Sequence, residues 1–240
     1  IHFGDVEEAE RRALAQAREA FERFPHDIAC FIAEPIQGEG GDNHMRPEFL
    51  QAMQALCHEY EALFIVDEVQ TGVGLTGTPW AYQQLGLEPD IVAFAKKVQV
   101  GGIMAGRRVD LVPDNVFRVS SRINSTWGGG LVDMVRSRRI LEIIERDGLI
   151  PRAGILGEKL LGMLKSLEAE GLVSNARGRG LMCAFDVPDN RDVITRLREE
   201  EGILMLPCGE RSVRLRPPLN IEPEELEHGI AGLRKVLASR

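Results

Sequence analysis

One short stretch limits what this chain can fold into: an apolar run that ends abruptly in charged and polar side chains, Leu63-Phe64-Ile65-Val66-Asp67-Glu68-Val69-Gln70. A run that is apolar throughout, rather than alternating, is typical of a strand buried on both faces of a parallel sheet. The residues that end such a strand face the crevice at the carboxyl end of the sheet, where open α/β folds bind their ligands. Asp67 is therefore the first residue for which we predict a chemical role.

Two more apolar runs end in charged side chains. One leads to Glu34, and the other, residues 91–95, leads to Lys96. Helical spacing over residues 47–62 predicts a right-handed βαβ crossover, which brings Glu34, Asp67 and Lys96 to one edge of an α/β sheet. Lys96 then has two interpretations: a solvated strand end, or a Schiff-base lysine that needs a partly desolvated pocket to make its amine nucleophilic.

Composition excludes several classes of partner. The 240 residues are 44% hydrophobic, which is enough for a large core, and the net charge of -8 argues against nucleic acid or an anionic membrane as a partner. No apolar run approaches the roughly 20 residues of a membrane span.

The histidines do not cluster with the cysteines, so we predict no metal site. The cysteines lack paired spacing and are expected to be mostly buried thiols in a reducing cytoplasm: Cys30, Cys57, Cys183 and Cys208.

The predicted elements fall into two groups. Up to residue 148 we expect the βαβ unit and further long helices, whereas shorter strands and helices after it predict a small α+β domain. The predicted domains are therefore residues 1–148 and 149–240. The predicted helices span residues 5–24, 47–62, 80–85, 131–146, 153–170, 192–201 and 222–238, and the predicted strands span 27–33, 63–66, 91–95, 181–187, 203–206 and 212–215.

Five motifs follow one another along the chain: Glu34-Pro35-Ile36-Gln37-Gly38-Glu39-Gly40, Asp67-Glu68-Val69-Gln70-Thr71-Gly72, Pro89-Asp90-Ile91-Val92 leading to Lys96, Ser125-Thr126-Trp127-Gly128-Gly129, and Val213-Arg214-Leu215-Arg216-Pro217-Pro218. In this order they resemble the class III, or ω-, aminotransferases, which are fold type I enzymes that use pyridoxal 5′-phosphate. The resemblance implies the aspartate aminotransferase-like fold, with part of a large, mostly parallel-sheet domain and a small C-terminal domain. It also implies a homodimer whose active site lies at the subunit interface.

Three further segments are most similar to the family members that move the ε-amino group of L-lysine to 2-oxoglutarate: Pro25-His26-Asp27-Ile28-Ala29-Cys30, Gly40-Gly41-Asp42-Asn43-His44 and Arg177-Gly178-Arg179-Gly180-Leu181-Met182-Cys183. Ornithine, 4-aminobutyrate and other ω-amines stay open as donors, because their enzymes share all five motifs. Relatives carry a long N-terminal portion that is not found ahead of Ile1, which suggests a fragment. An inactive remnant that folds or dimerises without catalysis is thus the second hypothesis.

The resemblance assigns roles to residues that contact the cofactor. Asp67 is expected to pair with the pyridine nitrogen, Gln70 to hydrogen-bond near the ring's phenolic oxygen, and Thr126 to reach the phosphate of the neighbouring subunit's cofactor. Lys96 is expected to form the Schiff base. Counting along the strand from Asp90 selects Lys96, whereas counting back from the following glycines would select Lys97; we prefer the count along the strand, because loops absorb extra residues more easily.

Two more residues are expected to handle the substrates in turn. Arg214 matches the arginine that binds a substrate carboxylate, and Glu39 matches the glutamate that neutralises this arginine when the amine donor is bound. An ω-amine donor has no carboxylate next to its reacting carbon, whereas 2-oxoglutarate has one that can form a bidentate pair with a guanidinium. The resemblance therefore implies a switch between Glu39 and Arg214.

Overall fold

The computed structural model describes residues 3–123 and 128–239. Its α-helices are α1 (Phe3–Arg23), α2 (Pro47–Glu59), α3 (Leu131–Arg146), α4 (Leu149–Ala169), α5 (Asn190–Glu201) and α6 (Pro223–Ala238). Its strands are β1 (Cys30–Ala33), β2 (Ile36–Gln37), β3 (Asn43–His44), β4 (Leu63–Asp67), β5 (Ile91–Phe94), β6 (Gly102–Ala105), β7 (Ser174–Arg179), β8 (Met182–Asp186), β9 (Leu206–Cys208) and β10 (Ser212–Leu215). Short 3-10 helices span Ala81–Leu85, Lys96–Val98 and Arg107–Leu111. None of the helices described is long and apolar enough to cross a membrane.

The first sheet has the order β1-β4-β5-β6. β1, β4 and β5 run parallel, with α2 as the crossover between β1 and β4, so the predicted mixed α/β architecture is confirmed. The register sets Asp67 opposite Ala93, so β4 and β5 end at the same edge of the sheet. β6, which we did not predict, pairs antiparallel with β5. Its sequence, Gly-Ile-Met-Ala, carries too little β-branched character to mark a strand.

Burial in this sheet differs from the prediction. In β4, Phe64 and Val66 are fully buried while their neighbours are half-buried, so the strand is well covered on one face only. β1 forms the edge of the described sheet, and Ile32 is 57% exposed. Cys30 is exposed as well, whereas the other three cysteines are buried. The expectation of a second strand buried on both faces was therefore wrong for β1, because no element of the described part of the chain covers the face that carries Cys30 and Ile32.

The second sheet is antiparallel throughout, with the order β7-β8-β10-β9. Its core is formed with α4, α5 and α6, and α4 contributes Leu160, Leu164 and Leu167, all fully buried. Ile36 and Leu75, from the first half of the chain, join this core. The sheet fits the predicted α+β arrangement, while the domain boundary at residue 148 stays a prediction.

Candidate active site

A cavity of about 630 Å³ opens between the two sheets. Residues at the ends of β4 and β5 form one side, and residues of β9, of β10 and after β10 form another, while α3 supplies an apolar wall. Its polar lining residues are Gln70, Lys96, Lys97, Asp147, Arg214, Arg216 and Asn220. The motifs that were distant in sequence therefore meet around one space.

Both lysines after β5 line this cavity, but they differ in their surroundings. Lys96 is exposed, and its backbone is left-handed with φ of 49°, a conformation that costs a non-glycine residue roughly 1 kcal/mol or more. Lys97 is partly buried, and its Nζ donates to the main-chain carbonyl of Gln70. Burial, together with the charges of Arg216 and Lys96, lowers the pKa of Lys97 to about 8.

Asp67 lies at the end of β4, half-buried, and lines a separate cavity of about 390 Å³ together with Glu34 and Gln37. Its Oδ1 accepts a hydrogen bond of 2.9 Å from the backbone N–H of Val69. Oδ1 is thus fixed by its own turn. Glu34, the other predicted strand-end carboxylate, accepts from the N–H of Gly38 at 2.9 Å and so shapes the loop that follows β1.

The adjacent Glu68 has a structural role that the sequence did not reveal. It is 1% exposed, its Oε1 accepts the N–H of Tyr82 at 2.7 Å, and the hydroxyl of Thr71 donates to its Oε2. Burial raises the pKa of Glu68, although these hydrogen bonds oppose the shift. Glu68 therefore ties the turn after β4 to the Ala81–Leu85 helix, while Asp67 and Gln70 on either side of it lie toward the cavities.

Glu39 and Arg214 are brought together as an ion pair. Nη2 of Arg214 lies 2.7 Å from Oε2 of Glu39, and the side chain of Arg214 is 13% exposed whereas that of Glu39 is 80% exposed. Within the described residues, no acceptor reaches the buried Nε of Arg214. A buried guanidinium with donors to spare, covered by an exposed carboxylate, is suited to exchange that carboxylate for one on a ligand.

A second ion pair lies beside the first, and the sequence did not lead us to it. Nη2 of Arg216 donates to Oδ1 of Asp42 at 2.8 Å, and Asp42 is fully buried. Burial raises the pKa of Asp42, although the nearby guanidinium of Arg216 opposes the shift. Asp42 is three residues from Glu39 on the same loop, and Arg216 directly follows β10, which carries Arg214.

Thr126 lies outside the described residues. The remaining predicted site residues divide into two groups: Lys96, Gln70 and Arg214 line the larger cavity, with Glu39 paired to Arg214, while Asp67 lines the smaller one.

The described residues fit pyridoxal phosphate in their donor chemistry. Asp67 Oδ1 is engaged by Val69, which leaves the carboxylate a second oxygen for a ring nitrogen. Gly38 packs so closely on Gln70 that a Cβ at position 38 would overlap the Gln70 amide. The Gln70 side chain can therefore occupy its position only because residue 38 is glycine. A carboxylate, an amide and lysines at one sheet edge are the groups that such a cofactor requires.

The sequence profile of the class-III aminotransferases matches residues 2–237 of the chain. An L-lysine-epsilon aminotransferase of Mycobacterium tuberculosis is 59% identical over 232 residues, covering 95% of this chain and 52% of that protein. The corresponding protein of Streptomyces clavuligerus is 57% identical over 237 residues, covering 97% of this chain and 52% of that protein. The chain thus spans about half the length of these relatives.

Solved structures give the same result. The lysine aminotransferase from M. tuberculosis in its internal aldimine form superposes with a TM-score of 0.96 at 56% identity, over 100% of this chain and 56% of that one. A thermostable (S)-enantioselective ω-transaminase from Thermomicrobium roseum superposes with a TM-score of 0.86 at 30% identity, over 99% of this chain and 58% of that one.

Proposed function

The chain belongs to the class-III aminotransferases and has their fold, and from this premise we propose that it is part of a pyridoxal-phosphate enzyme that moves the ε-amino group of L-lysine to 2-oxoglutarate. The products would be 2-aminoadipate 6-semialdehyde, which cyclises to a piperideine carboxylate, and L-glutamate. The observation that carries the reaction type is the Glu39–Arg214 pair beside a cavity lined by two lysines.

The similarity of the relatives supports lysine as the donor. The lysine enzymes are 57% and 59% identical to this chain, whereas an acetylornithine and a 4-aminobutyrate aminotransferase are 34% and 36% identical. The competing donors in the assay are 4-aminobutyrate and ornithine, which the shared motifs leave open.

When bound, pyridoxal phosphate supplies the carbonyl that carries the amino group and a ring that accepts electrons. Asp67 would hold a proton on the ring nitrogen, because its carboxylate ends the central strand β4 at the edge of the sheet. Gln70 would donate a hydrogen bond near the phenolic oxygen.

We propose Lys96 as the lysine that binds the cofactor and afterwards moves the substrate proton. Its exposed amine lies on the cavity, and its strained left-handed backbone is of the kind found at functional sites. Lys97 is the alternative, because with a pKa lowered to about 8 a larger fraction of its amine is neutral, and thus nucleophilic, near neutral pH. Against it, the amine of Lys97 is already engaged by the carbonyl of Gln70.

Glu39 and Arg214 would admit the two substrates in turn. With lysine bound, Glu39 covers the guanidinium, because the donor presents only an aliphatic chain there. With 2-oxoglutarate bound, the exposed Glu39 side chain moves aside and Arg214 binds the substrate carboxylate through two hydrogen bonds.

The test of the function uses the complete protein with pyridoxal phosphate and 2-oxoglutarate. Glutamate formation is measured with lysine, ornithine and 4-aminobutyrate as donors. We expect the highest kcat/KM with lysine. A higher kcat/KM with either competitor would reassign the donor, and no glutamate with any donor would support the inactive remnant.

A second experiment assigns the lysine. Borohydride reduction of the complete holoenzyme, followed by peptide mapping, should place the pyridoxyl group on Lys96. Finding it on Lys97 would transfer both proposed roles to that residue.

We also propose a homodimer in the cytoplasm. α3 begins with apolar side chains that are largely exposed, namely Leu131, Val132, Met134 and Val135, and a second copy would cover them. The buried free thiols of Cys57, Cys183 and Cys208 agree with a reducing compartment. Sedimentation of the complete protein should give twice the mass of one chain, and a monomer would contradict the dimer.

A further inference from the structure

Arg216 has none of the roles proposed above, yet it lies at the centre of a polar network that includes Gln70. Its Nε and Nη2 donate to Oε1 of Gln70 at 3.1 and 3.0 Å, and Nη2 also donates to Oδ1 of Asp42 at 2.8 Å. Its Nη1 donates to the main-chain carbonyls of Cys183 and Leu215. All three guanidinium nitrogens are therefore engaged, and the side chain has one fixed position.

These contacts fix the orientation of the Gln70 amide. A guanidinium can only donate hydrogen bonds, so the atom of Gln70 that faces Arg216 must be the carbonyl oxygen. The Nε2 group, a donor, then points away from Arg216. The main chain of Gln70 is held separately, since Lys97 donates to its carbonyl. Both ends of Gln70 are thus constrained, and the direction of its donor is set by Arg216.

The other partner of Arg216 is anchored equally well. Asp42 is fully buried, and its main-chain carbonyl accepts from Nε of Arg177 at 2.9 Å. Nη2 of Arg177 donates to the carbonyl of Gly41 at 2.6 Å. The loop that carries Asp42 is thereby fastened to the second sheet, and the carboxylate of Asp42 holds Arg216 in place.

We propose that Arg216 is a positioning residue: it holds the Gln70 amide so that Nε2 donates to the phenolic oxygen of the pyridoxal ring, and the buried Asp42 keeps Arg216 in that position. This inference rests on the proposed function, because it needs the ring in the cavity. A hydrogen bond donated to a phenolate favours its deprotonated form. Loss of the fixed amide should therefore raise the pH at which the bound cofactor changes its visible absorption.

The experiment is a pH titration of the visible absorption of the complete holoenzyme. Arg216→Lys keeps the positive charge near Asp42 but lacks the planar fork that serves Asp42 and Gln70 together. We expect the midpoint of the absorption change to rise by about one pH unit, a tenfold change in proton affinity. Arg216→Gln, which is neutral but still a donor, gives a second measurement should the lysine variant not fold.

Two further variants separate positioning from general destabilisation. Gln70→Leu removes the amide itself, so adding Arg216→Lys to it should move the midpoint no further. Arg108→Lys is the matched control: Arg108 also donates to a buried carboxylate, that of Asp90 at 2.8 Å, and to a carbonyl, but it does not line the cavity. We expect Arg108→Lys to leave the midpoint at the wild-type pH.

The outcomes distinguish the inference from the function on which it rests. The positioning role is supported if the midpoint of the absorption change shifts in the Arg216 variants but not in Arg108→Lys, and if adding Arg216→Lys to Gln70→Leu causes no further shift. No shift, or an equal shift with Arg108→Lys, overturns the positioning role and leaves the aminotransferase standing. A wild-type protein that gives no visible band with pyridoxal phosphate overturns the proposed function and the inference with it.

Discussion

Glu39 and Arg214 form an ion pair in which only one partner is free to leave. Arg214 is mostly buried on β10, whereas the side chain of Glu39 is 80% exposed. The main chain of Glu39 is fixed, since its carbonyl accepts the N–H of Gly209 at 3.0 Å. The exchange of substrates is therefore expected to need only a rotation of the Glu39 side chain, while the loop stays in place.

Glu39→Ala should separate the two half-reactions. Without the carboxylate, Arg214 stays uncovered, so 2-oxoglutarate should bind as well or better, while the lysine half-reaction meets an unmatched charge. Because Glu39 is exposed, we expect a loss of about 1 kcal/mol, or about fivefold in kcat/KM for lysine. Single-turnover absorption changes for each substrate measure this. Glu210→Ala is the control, because Glu210 is exposed and lines, together with Glu39, a third cavity of about 550 Å³. Equal damage to both half-reactions in Glu39→Ala would rule out the switch.

Asp67→Asn should remove activity and keep the fold. Asparagine retains an oxygen for the N–H of Val69, but a neutral amide cannot hold a proton on the ring nitrogen. Loss of a stabilising group aimed at developing charge costs roughly 100-fold or more in kcat. Steady-state kinetics and circular dichroism of the complete protein measure both effects. Asp110→Asn, at an exposed carboxylate, serves as control, and near-normal turnover in the Asp67 variant would refute its role.

Lys97 should make stability depend on pH. Its pKa is lowered to about 8 in the folded chain, so between pH 8 and the ordinary value near 10.5 the unfolded chain binds more protons. The buried charge therefore destabilises the fold fully below pH 8, and the penalty disappears as pH rises through this window. We expect Lys97→Met to be more stable than wild type at pH 7 by about 1–3 kcal/mol and the difference to shrink by pH 10.

Urea unfolding of the cofactor-free protein at the two pH values measures this difference. Lys96→Met is the matched control, because it removes an exposed amine one position away. A gain of stability that is the same at both pH values would mean that Lys97→Met acts through apolar packing and not through charge.

At the scale of elements, α4 is held against two turns by contacts that only glycine permits. A Cβ on Gly157 would overlap the backbone of Gly180, in the turn between β7 and β8, and a Cβ on Gly180 would overlap the backbone of Thr76. The N–H of Leu181 donates to the carbonyl of Leu75 at 2.9 Å in the same place. This contact joins the helix, the second sheet and the turn after β4.

Gly157→Ala should therefore destabilise the fold by about 1–3 kcal/mol through overpacking. The same helix supplies the opposite case, because nothing lies within 4 Å of a Cβ on Gly162. There, alanine should stabilise the helix by about 0.5–1 kcal/mol. The urea midpoints of Gly157→Ala and Gly162→Ala are compared with that of the wild type. Destabilisation of similar size in both variants would show that the close contact of Gly157 with Gly180 is unimportant.

Elements with a strong periodic pattern were predicted well. α3 and β10 have the predicted bounds, and α2, α5 and α6 differ by a few residues only. β7 was missed because its sequence, Ser-Asn-Ala-Arg-Gly-Arg, has no apolar alternation and owes its pairing to β8. β9 begins at Leu206, where the prediction ended, because pairing with β10 decides which residues form that strand. Tertiary contacts decide such segments, and one sequence does not display them.

The structure brings one predicted pair of site residues into contact. The predicted partners Glu39 and Arg214 are in contact although far apart in sequence. Asp42 and Arg216 were missed, because a loop carboxylate and an arginine next to a strand look like ordinary polar residues until their burial is known. The sequence also could not show that Lys96 is exposed while Lys97 is partly buried, since both follow the same strand.

For the molecule as a whole, the cavity belongs to both sheets. Gln70 follows β4 and the two lysines follow β5 of the first sheet, whereas Arg214 lies on β10 of the second sheet and Arg216 directly follows it. A ligand that fills this space contacts both halves at once, so its binding free energy stabilises their association. Ligand binding is therefore the property of the whole molecule that is most open to a direct test.

Pyridoxal phosphate should raise the melting temperature of the complete protein. At a hundredfold excess over Kd, a ligand that binds only the folded state stabilises it by about 2.7 kcal/mol. For a protein of the length of the curated relatives, about twice that of this chain, this corresponds to an increase in Tm of about 3 °C. Differential scanning calorimetry of the protein before and after removal of the cofactor measures the change.

Pyridoxine 5′-phosphate is the matched control ligand, because it has the same ring and phosphate but no aldehyde for a lysine to bind. We expect a clearly smaller increase in Tm with it, since only the non-covalent contacts of Asp67, Gln70 and their neighbours remain. Replacing Lys96 by alanine should reduce the increase caused by pyridoxal phosphate to the same lower value. Equal increases with both ligands in the wild-type protein would contradict a covalent bond to lysine, and the assignment of Lys96 would fail with it.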